Sequence, residues 1–366
     1  MLIPAGRALT VAVLAAALLP AGAAADPRTA KVLSVVADSA LDNASGLALT
    51  ADGKLLTLQD ARRSTALYAL DRRGRTAYTV ELPPGSNEDW EDLATGVLAD
   101  GRRIAVIADT GDASQVRAAR NQAPRRTFRL IQLDEPDGSR ETATGIHIFR
   151  FRYPDGKSRN VETLLLQPGT GRMYLVTKTR ARTSGQGGDS DAIHQSAAAP
   201  AAAELWALPA RPVTTDVNVP ELVTATLPVP AASGGAFSVT GDRFVIRNGT
   251  DAYVWWVPDG DVAGAVTHPP VRVHLPPQRQ GEGVTFTRAG HALLVGSEGV
   301  RQPIWQVPLP GSADTARTPR PSDEAGGAGG TGGFGKTPLA VFAVLMLAAA
   351  VGIGVHRVRL RRAEMT

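Results

Sequence analysis

Five stretches of this 366-residue chain share one form, and that repeat restricts the fold more than any other feature. Each opens on a small or acidic residue, runs through an apolar strand into a glycine-containing turn, and returns as a second apolar strand that ends on a charge. They are SGLALTADGKLLTLQD (45–60), EDLATGVLADGRRIAVIAD (91–109), ETLLLQPGTGRMYLVTK (162–178), GAFSVTGDRFVIR (235–247) and EGVTFTRAGHALLVGSE (282–298). A third strand-like run follows each, from TALYAL to PIWQVPL, and all but the last unit add a fourth. Four short strands joined by Gly, Asp and Pro turns form a sheet that must bury its faces against copies of itself, which is how a β-propeller blade is built. The last unit lacks its fourth strand, and KVLSVVA (31–37) stands spare ahead of the first. Pairing the two closes the ring and leaves no sheet edge open there. The expected fold is all-β: a five-bladed β-propeller closed by an N-terminal strand, with a sixth blade inside the longer loops as the other possible count.

The ends of the chain follow other rules. Residues 1–25 combine Arg7, the apolar run ALTVAVLAAALL and three alanines before Asp26, the layout of a secretory signal peptide. Residues 337–355, TPLAVFAVLMLAAAVGIGV, carry no charge and are long enough to cross a bilayer core as a helix. Arg357, Arg359, Arg361 and Arg362 follow at once, the mark of a cytoplasmic flank. The expected organisation is a single-pass protein of the cell membrane. Its extracellular domain spans 26–310, a Gly/Ser/Pro-rich linker 311–336, a transmembrane helix 337–355 and a basic tail 356–366. Inside the linker, GTGGFGKT (330–337) matches a phosphate-loop pattern, but no strand precedes it to present the loop, so no nucleotide is expected there.

Composition removes several function classes. The net charge of +4 resides in Arg7 and the tail, leaving a neutral ectodomain with no electrostatic case for nucleic acid. The absence of cysteine excludes disulfides, thioether-attached haem and thiolate metal sites. No G-x-S-x-G or H-E-x-x-H pattern occurs, and the six histidines are scattered.

Antiparallel meanders place the start of each inner strand and the end of the second strand on one face. The first positions are Ser45, Glu91, Glu162, Gly235 and Glu282; the second-strand ends are Asp60, Asp109, Lys178, Arg247 and Glu298. This reading puts six carboxylates and two cations around one mouth of the axial channel. Buried carboxylates repel one another, and a hard divalent cation such as Ca²⁺ relieves that repulsion. Glu91, Glu162, Glu282, Asp109 and Asp60 are the candidate metal ligands. Glu298, Lys178, Arg247, Asp112 of the DTGD run and Trp90 are the candidate ligand-binding residues. A salt-bridged ring solvated by water is the competing account. Trp90, within EDWED (88–92), packs between blades or stacks on a ligand, while Glu88 and Asp89 read as a solvated turn. The loops 110–126 and 179–203 both emerge on this face, the first carrying Arg117, Arg120, Arg125 and Arg126.

The runs NEDWEDLA, ADTGD, FRYPDG, NVETLLL, MYLVTK, QGEGVTFT and LLVGSEG together resemble a group of exported actinobacterial β-propeller proteins of unassigned activity. Where that group usually continues GDN, this chain has Ala113. More distantly, acidic residues opening the inner strands look like those of calcium-dependent propeller hydrolases, gluconolactonase-like lactonases and esterase-like phytases. That resemblance implies a metal-bound water or a polarised carbonyl. Three functions follow as expectations: an extracellular site for a divalent cation and a small ligand, a calcium-dependent hydrolase of esters, lactones or phosphoesters, and a cell-surface scaffold for a protein partner.

Overall fold

The computed structural model describes residues 30–60, 64–179 and 202–310. The expected signal peptide, linker, transmembrane helix and tail lie outside these residues, as does most of the 179–203 loop. Among the described residues no helix is long and apolar enough to cross a membrane.

The chain begins with β1 (Lys31–Val35) and then lays down five sheets in order. The first is β2 (Ala44–Leu49), β3 (Leu55–Gln59), β4 (Ala66–Leu70) and β5 (Thr76–Glu81). The second is β6 (Trp90–Val97), β7 (Arg103–Asp109), β8 (Phe128–Asp134) and β9 (His147–Phe151). The third is β10 (Val161–Leu166), β11 (Met173–Thr177), β12 (Ala203–Ala207) and β14 (Glu221–Leu227); the short β13 (Val217–Asn218) crosses over to pair in parallel with β9. The fourth is β15 (Gly234–Phe237), β16 (Arg243–Arg247), β17 (Asp251–Trp256) and β18 (Val271–His274). The fifth is β19 (Gly281–Phe286), β20 (Ala292–Ser297) and β21 (Pro303–Pro308), completed by β1, whose Lys31 and Val32 pair with Gln306 and Trp305. The inner strands β2, β6, β10, β15 and β19 touch in sequence, and β19 meets β2. The molecule is therefore a five-bladed β-propeller whose ring closes within residues 31–308.

Side-chain alternation explains the radial stacking. Along β7, Ile104, Val106 and Ala108 join the core shared with the third blade, while Ala105 and Ile107 join the core shared with the first. Along β11, Tyr174 and Val176 face the fourth blade while Met173 and Leu175 face the second. A strand with period-two side chains and two covered faces must be apolar throughout, which is why the second strand of each unit reads as a continuous hydrophobic run. Each pair of neighbouring blades encloses its own buried apolar cluster, the fifth and first sharing Val36, Leu47, Leu55 and Ile304. The turn between first and second strands carries a glycine at positive φ, such as Gly53 and Gly101, both at 84°, where a Cβ would be strained.

The 110–126 loop contains a helix that the sequence pattern did not announce, α1 (Ser114–Ala119). Arg117 and Arg125 tie this loop down: Arg117 pairs with Asp112 and Glu88, and Arg125 with Asp109 and Glu88.

Candidate functional site at the axial mouth

The inner strands do not pair uniformly at their first residues. In the second blade the register of β6 and β7 shifts between Trp90 and Asp92, leaving Glu91 as the bulged residue. In the third the shift falls between Val161 and Thr163, around Glu162; in the fifth it falls between Gly281 and Val284, around Glu282. A bulge turns its extra residue out of the pleat, so these three glutamates are re-aimed where regular pairing would alternate them. The fourth blade pairs residue for residue from Gly234 to Phe237. A Cβ on Gly235 would stand 2.7 Å from Thr163 Cγ2 and 2.8 Å from Leu165 Cδ2, so this blade has no room for the corresponding glutamate.

Glu91, Glu162 and Glu282 converge on one cavity of about 390 Å³ with Asp60, Asp89 and Glu298. Lys178 and Arg120 supply the basic side chains of its wall, Ser45 and Gln280 the neutral polar ones, and Ala113 and Val116 line it from the α1 segment. Among the described residues six carboxylates thus face two bases. The far ends of the inner strands border a smaller cavity of about 140 Å³ among Leu47, Leu93, Phe237 and Phe286, with Glu135, Arg103 and Arg288 also in its lining.

The electrostatics follow from this imbalance. Burial, reinforced by Asp89, Glu298, Glu162 and Glu282, pushes the Asp60 carboxyl up to about 8. Burial also raises Glu282 to about 8, Lys178 and Arg247 pulling the other way and Glu162 and Glu298 adding to the rise. Glu91 lies well above the usual carboxylate range through burial and the charges of Glu162, Asp60 and Asp89, and Glu298 is raised chiefly by burial. Burial alone would lower the Lys178 ammonium, yet Glu162, Glu282 and Glu91 outweigh it and its pKa rises. Lys178 Nζ donates to Glu162 Oε2, and Asn160 Nδ2 donates to Glu162 Oε1 at 2.8 Å. The backbone N–H of Asp112 donates to Asn160 Oδ1 at 2.6 Å, so the α1 segment is hydrogen-bonded through Asn160 to the carboxylate ring.

Asp109 and Arg247 stand elsewhere. Both are fully buried at the last paired position of their strands, opposite Trp90 and Gly234. In the other blades the cavity-lining residue, Asp60, Lys178 or Glu298, comes one position later, just past Gln59, Thr177 and Ser297. The equivalent residues are Thr110 and Asn248; a one-residue slip along a strand carries a side chain to the opposite face. Asp109 pairs with Arg125 and Arg129, and Oδ1 accepts the Asp89 N–H at 2.9 Å, which positions the Asp89 backbone. Arg247 donates to the carbonyls of Gly283 and Gly296 at 3.2 and 3.1 Å and to Gln278 Oε1 at 2.9 Å, supporting the Glu282 bulge from behind. Burial lowers its guanidinium to about 10, Glu282 opposing that shift. Asp112 is buried, bonded to Arg117, the Arg125 N–H and Ser158.

EDWED sends its residues to separate places. Glu88 is half-exposed and pairs with Arg117 and Arg125, and Asp89, read from sequence as a solvated turn residue, lines the cavity. Trp90 is fully buried between the first and second blades, its indole N–H donating to Ser86 O at 2.9 Å, so it faces no ligand space. Asp92 is buried at the axis, where its carboxylate accepts N–H groups of Leu93, Leu164 and Gly235 at 2.9, 2.8 and 3.3 Å. One side chain thereby ties together the inner strands of three blades. Burial holds its pKa well above the usual range despite those three donors.

The donors around the cavity are hard oxygen ligands of the kind Ca²⁺ selects. Their spacing is another matter: among the described residues no three or more of His, Asp and Glu are grouped closely enough to hold a metal ion. The ring lines a roomy wall; it is not a preassembled chelate.

No protein-family model matches the sequence, and no curated protein matches it. Among solved structures the chain is similar to a gluconolactonase of Xanthomonas campestris, at 16% identity over 74% of this chain and 73% of that one, with a TM-score of 0.37. It is similar also to the PQQ-bound aldose sugar dehydrogenase of Streptomyces coelicolor, at 14% identity over 78% and 99% with a TM-score of 0.35. A third likeness is to the WD40 repeats of RRP9, at 10% identity over 79% and 99% with a TM-score of 0.37. Likenesses this distant carry no chemistry from one protein to another, and the propeller rests on its own strand order and closure.

Proposed function

We propose that this protein is a ligand-binding propeller whose axial cavity takes up a cation, with Ca²⁺ as the ion of choice, together with a small polar ligand. One observation carries this reading: among the described residues Asp60, Glu91, Glu162, Glu282 and Glu298 share a single cavity with two bases, and the crowding of charge that raises proton affinity there raises affinity for any other cation. The carboxylates are spread round a volume of about 390 Å³, where liquid water occupies about 30 Å³ per molecule, so the ion would keep part of its hydration shell. Glu91, Glu162, Glu282, Asp60 and Asp89 are the side chains that would hold it. Water-mediated coordination corresponds to weak extracellular-type affinity, on the order of 10⁻⁴–10⁻³ M. Export by residues 1–25 and anchoring by residues 337–355 belong to the same proposal, on the strength of the sequence alone.

Calorimetry of residues 26–310 with CaCl₂ tests the reading. Saturable heat, and a melting temperature raised by calcium and lowered again by chelator, are the expected outcomes. No heat and no shift would remove the cation from the account.

A second reading rests on a specific feature. Carboxyls that titrate near 8, Asp60 and Glu282, suit general acid–base work at neutral pH, which is what hydrolysis of an ester, lactone or phosphoester requires. A panel of chromogenic esters, lactones and phosphoesters, with Glu282→Gln as control, separates it from simple binding.

A further inference from the structure

The acidic cavity takes one end of the axis; the cavity of about 140 Å³ takes the other, and the two share no lining residue. β6 runs past both. Glu91 lines the first and Leu93 the second, with Asp92 between them bonded to the N–H groups of three inner strands. The walls of the second cavity are mainly apolar, from Leu47, Leu93, Phe237 and Phe286. Apolar cavities of about 150 Å³ stay dry and accept a benzene ring. Val97 and Val239, both half-exposed, mark the side that opens to solvent.

Polar groups stand in this cavity and at its rim with donors to spare. Thr285 lines it at 5% exposure, and among the described residues its hydroxyl makes no hydrogen bond. A buried hydroxyl without a partner is costly, and an oxygen-bearing ligand removes that cost. Arg288 is aimed at the rim: Nη2 donates to the carbonyls of Thr50 and Ala51, both lining residues, at 2.9 and 2.6 Å, while Nε and Nη1 reach no acceptor among the described residues. Glu135, the carboxylate of the same rim, already accepts the Ala51 N–H at 2.8 Å. Arg103 stands near Glu135 as a second guanidinium, so two cations border this mouth against one carboxylate, the reverse of the acidic end.

We infer that this end of the axis is a second binding site, for a small carboxylic acid whose branched or cyclic apolar body fills the cavity and whose carboxylate accepts from Arg288. Nothing in this site depends on the cation proposed for the other mouth. The cavity's size sets the body and the sign of its rim sets the head: an amine would meet two guanidiniums, and a neutral molecule would forgo a charge-assisted hydrogen bond. The competing account makes Arg288 and Glu135 staples, since Arg288 of the fifth blade and Glu135 of the second both hold the Thr50–Ala51 turn of the first. A staple holds that turn with no preference among solutes, whereas a binding site tells an acid from the matching alcohol.

The experiment is calorimetry on residues 26–310, a segment whose ring closes on itself, with chelator present. Benzoate and isovalerate carry both body and head, benzyl alcohol the body alone and acetate the head alone. The expected result is saturable binding of benzoate or isovalerate to wild type, with benzyl alcohol and acetate each at least tenfold weaker. Arg288→Gln should weaken the acid tenfold or more and leave benzyl alcohol unchanged, and Arg288→Lys should restore part of the loss. Neither acid binding to wild type, benzyl alcohol binding as tightly as the acids, or equal acid affinity in wild type and Arg288→Gln overturns the inference. If Arg288→Gln fails to fold, as its melting curve would show, the wild-type comparison of acid with alcohol and the Arg288→Lys titration decide: equal affinity for acid and alcohol in wild type removes the site.

Discussion

Replacing Glu282 by glutamine makes a permanent, isosteric copy of the protonated side chain, and the structure fixes the sign of the effect on stability. In the unfolded chain Glu282 loses its proton near its usual 4.5, and in the folded protein near 8. Between those values the native state holds a proton that the unfolded state has released, so raising the pH favours unfolding. The contribution is fully favourable below pH 4.5, declines by at most about 1.4 kcal/mol per pH unit through the interval, and levels off above 8. Asp60, raised to about 8 in the same cavity, adds a second group with the same sign. Most folded carboxylates do the reverse, because their partners hold them below the unfolded value. Glutamine abolishes the Glu282 share. At pH 8.5 Glu282→Gln is therefore expected to exceed wild type by about 2 kcal/mol, less than the full shift implies because Glu162 and Glu298 relax the same repulsion once one charge is gone. At pH 4.5 the two proteins should unfold alike. The assay is urea denaturation of both at half-unit steps from pH 4.5 to 8.5 in the presence of chelator. A variant less stable than wild type at pH 8.5 refutes the reasoning, since the glutamate would then be an ordinary, compensated carboxylate.

Other parts of the structure give further predictions. Asp109→Ala takes from the buried Arg125 guanidinium its buried carboxylate at 3.1 Å, leaving it only half-exposed Glu88, and takes the same partner from Arg129; it should cost about 3–5 kcal/mol in urea denaturation, far more than a rim carboxylate would. Asp92→Ala strips three backbone N–H groups of their acceptor and should cost on the order of 3 kcal/mol, read the same way. Deleting residues 26–36 removes β1 and bares the β21 edge. It should lower stability by about 3 kcal/mol and cause concentration-dependent association on size-exclusion chromatography.

The architecture was legible because it obeys rules that act locally. The turn glycines, the doubly covered second strands and the spare strand ahead of the first unit each correspond to one physical requirement of a closed ring of sheets. Most of the axial wall was legible for the same reason: Glu91, Glu162, Glu282, Asp60, Glu298 and Lys178 share the cavity because equivalent positions in a repeat share a radius. The strand ends of the second and fourth blades were misread by one residue. Asp109 and Arg247 are charged and sit where a strand should end, whereas the residues in register are the uncharged Thr110 and Asn248. Choosing charge over count moved both side chains to the wrong face. Asp89 has no such signal because its location depends on a backbone held by Asp109; the four arginines of the 110–126 loop were legible on this face, but which of them lines the cavity was not, because α1 forms inside a loop with no apolar periodicity to announce it. The bulges that re-aim the three glutamates have no sequence signature beyond the glutamates themselves.

The central claim is that the axial ring holds charge that protons and a cation compete to neutralise. Calcium calorimetry at pH 7 in buffers of different ionisation enthalpy measures that competition as the number of protons released per ion bound. Protons should leave Asp60, Glu91 and Glu282 as calcium enters, and affinity should weaken as pH falls below about 8. Calcium binding that releases no protons and is indifferent to pH between 6 and 8.5 would contradict the claim.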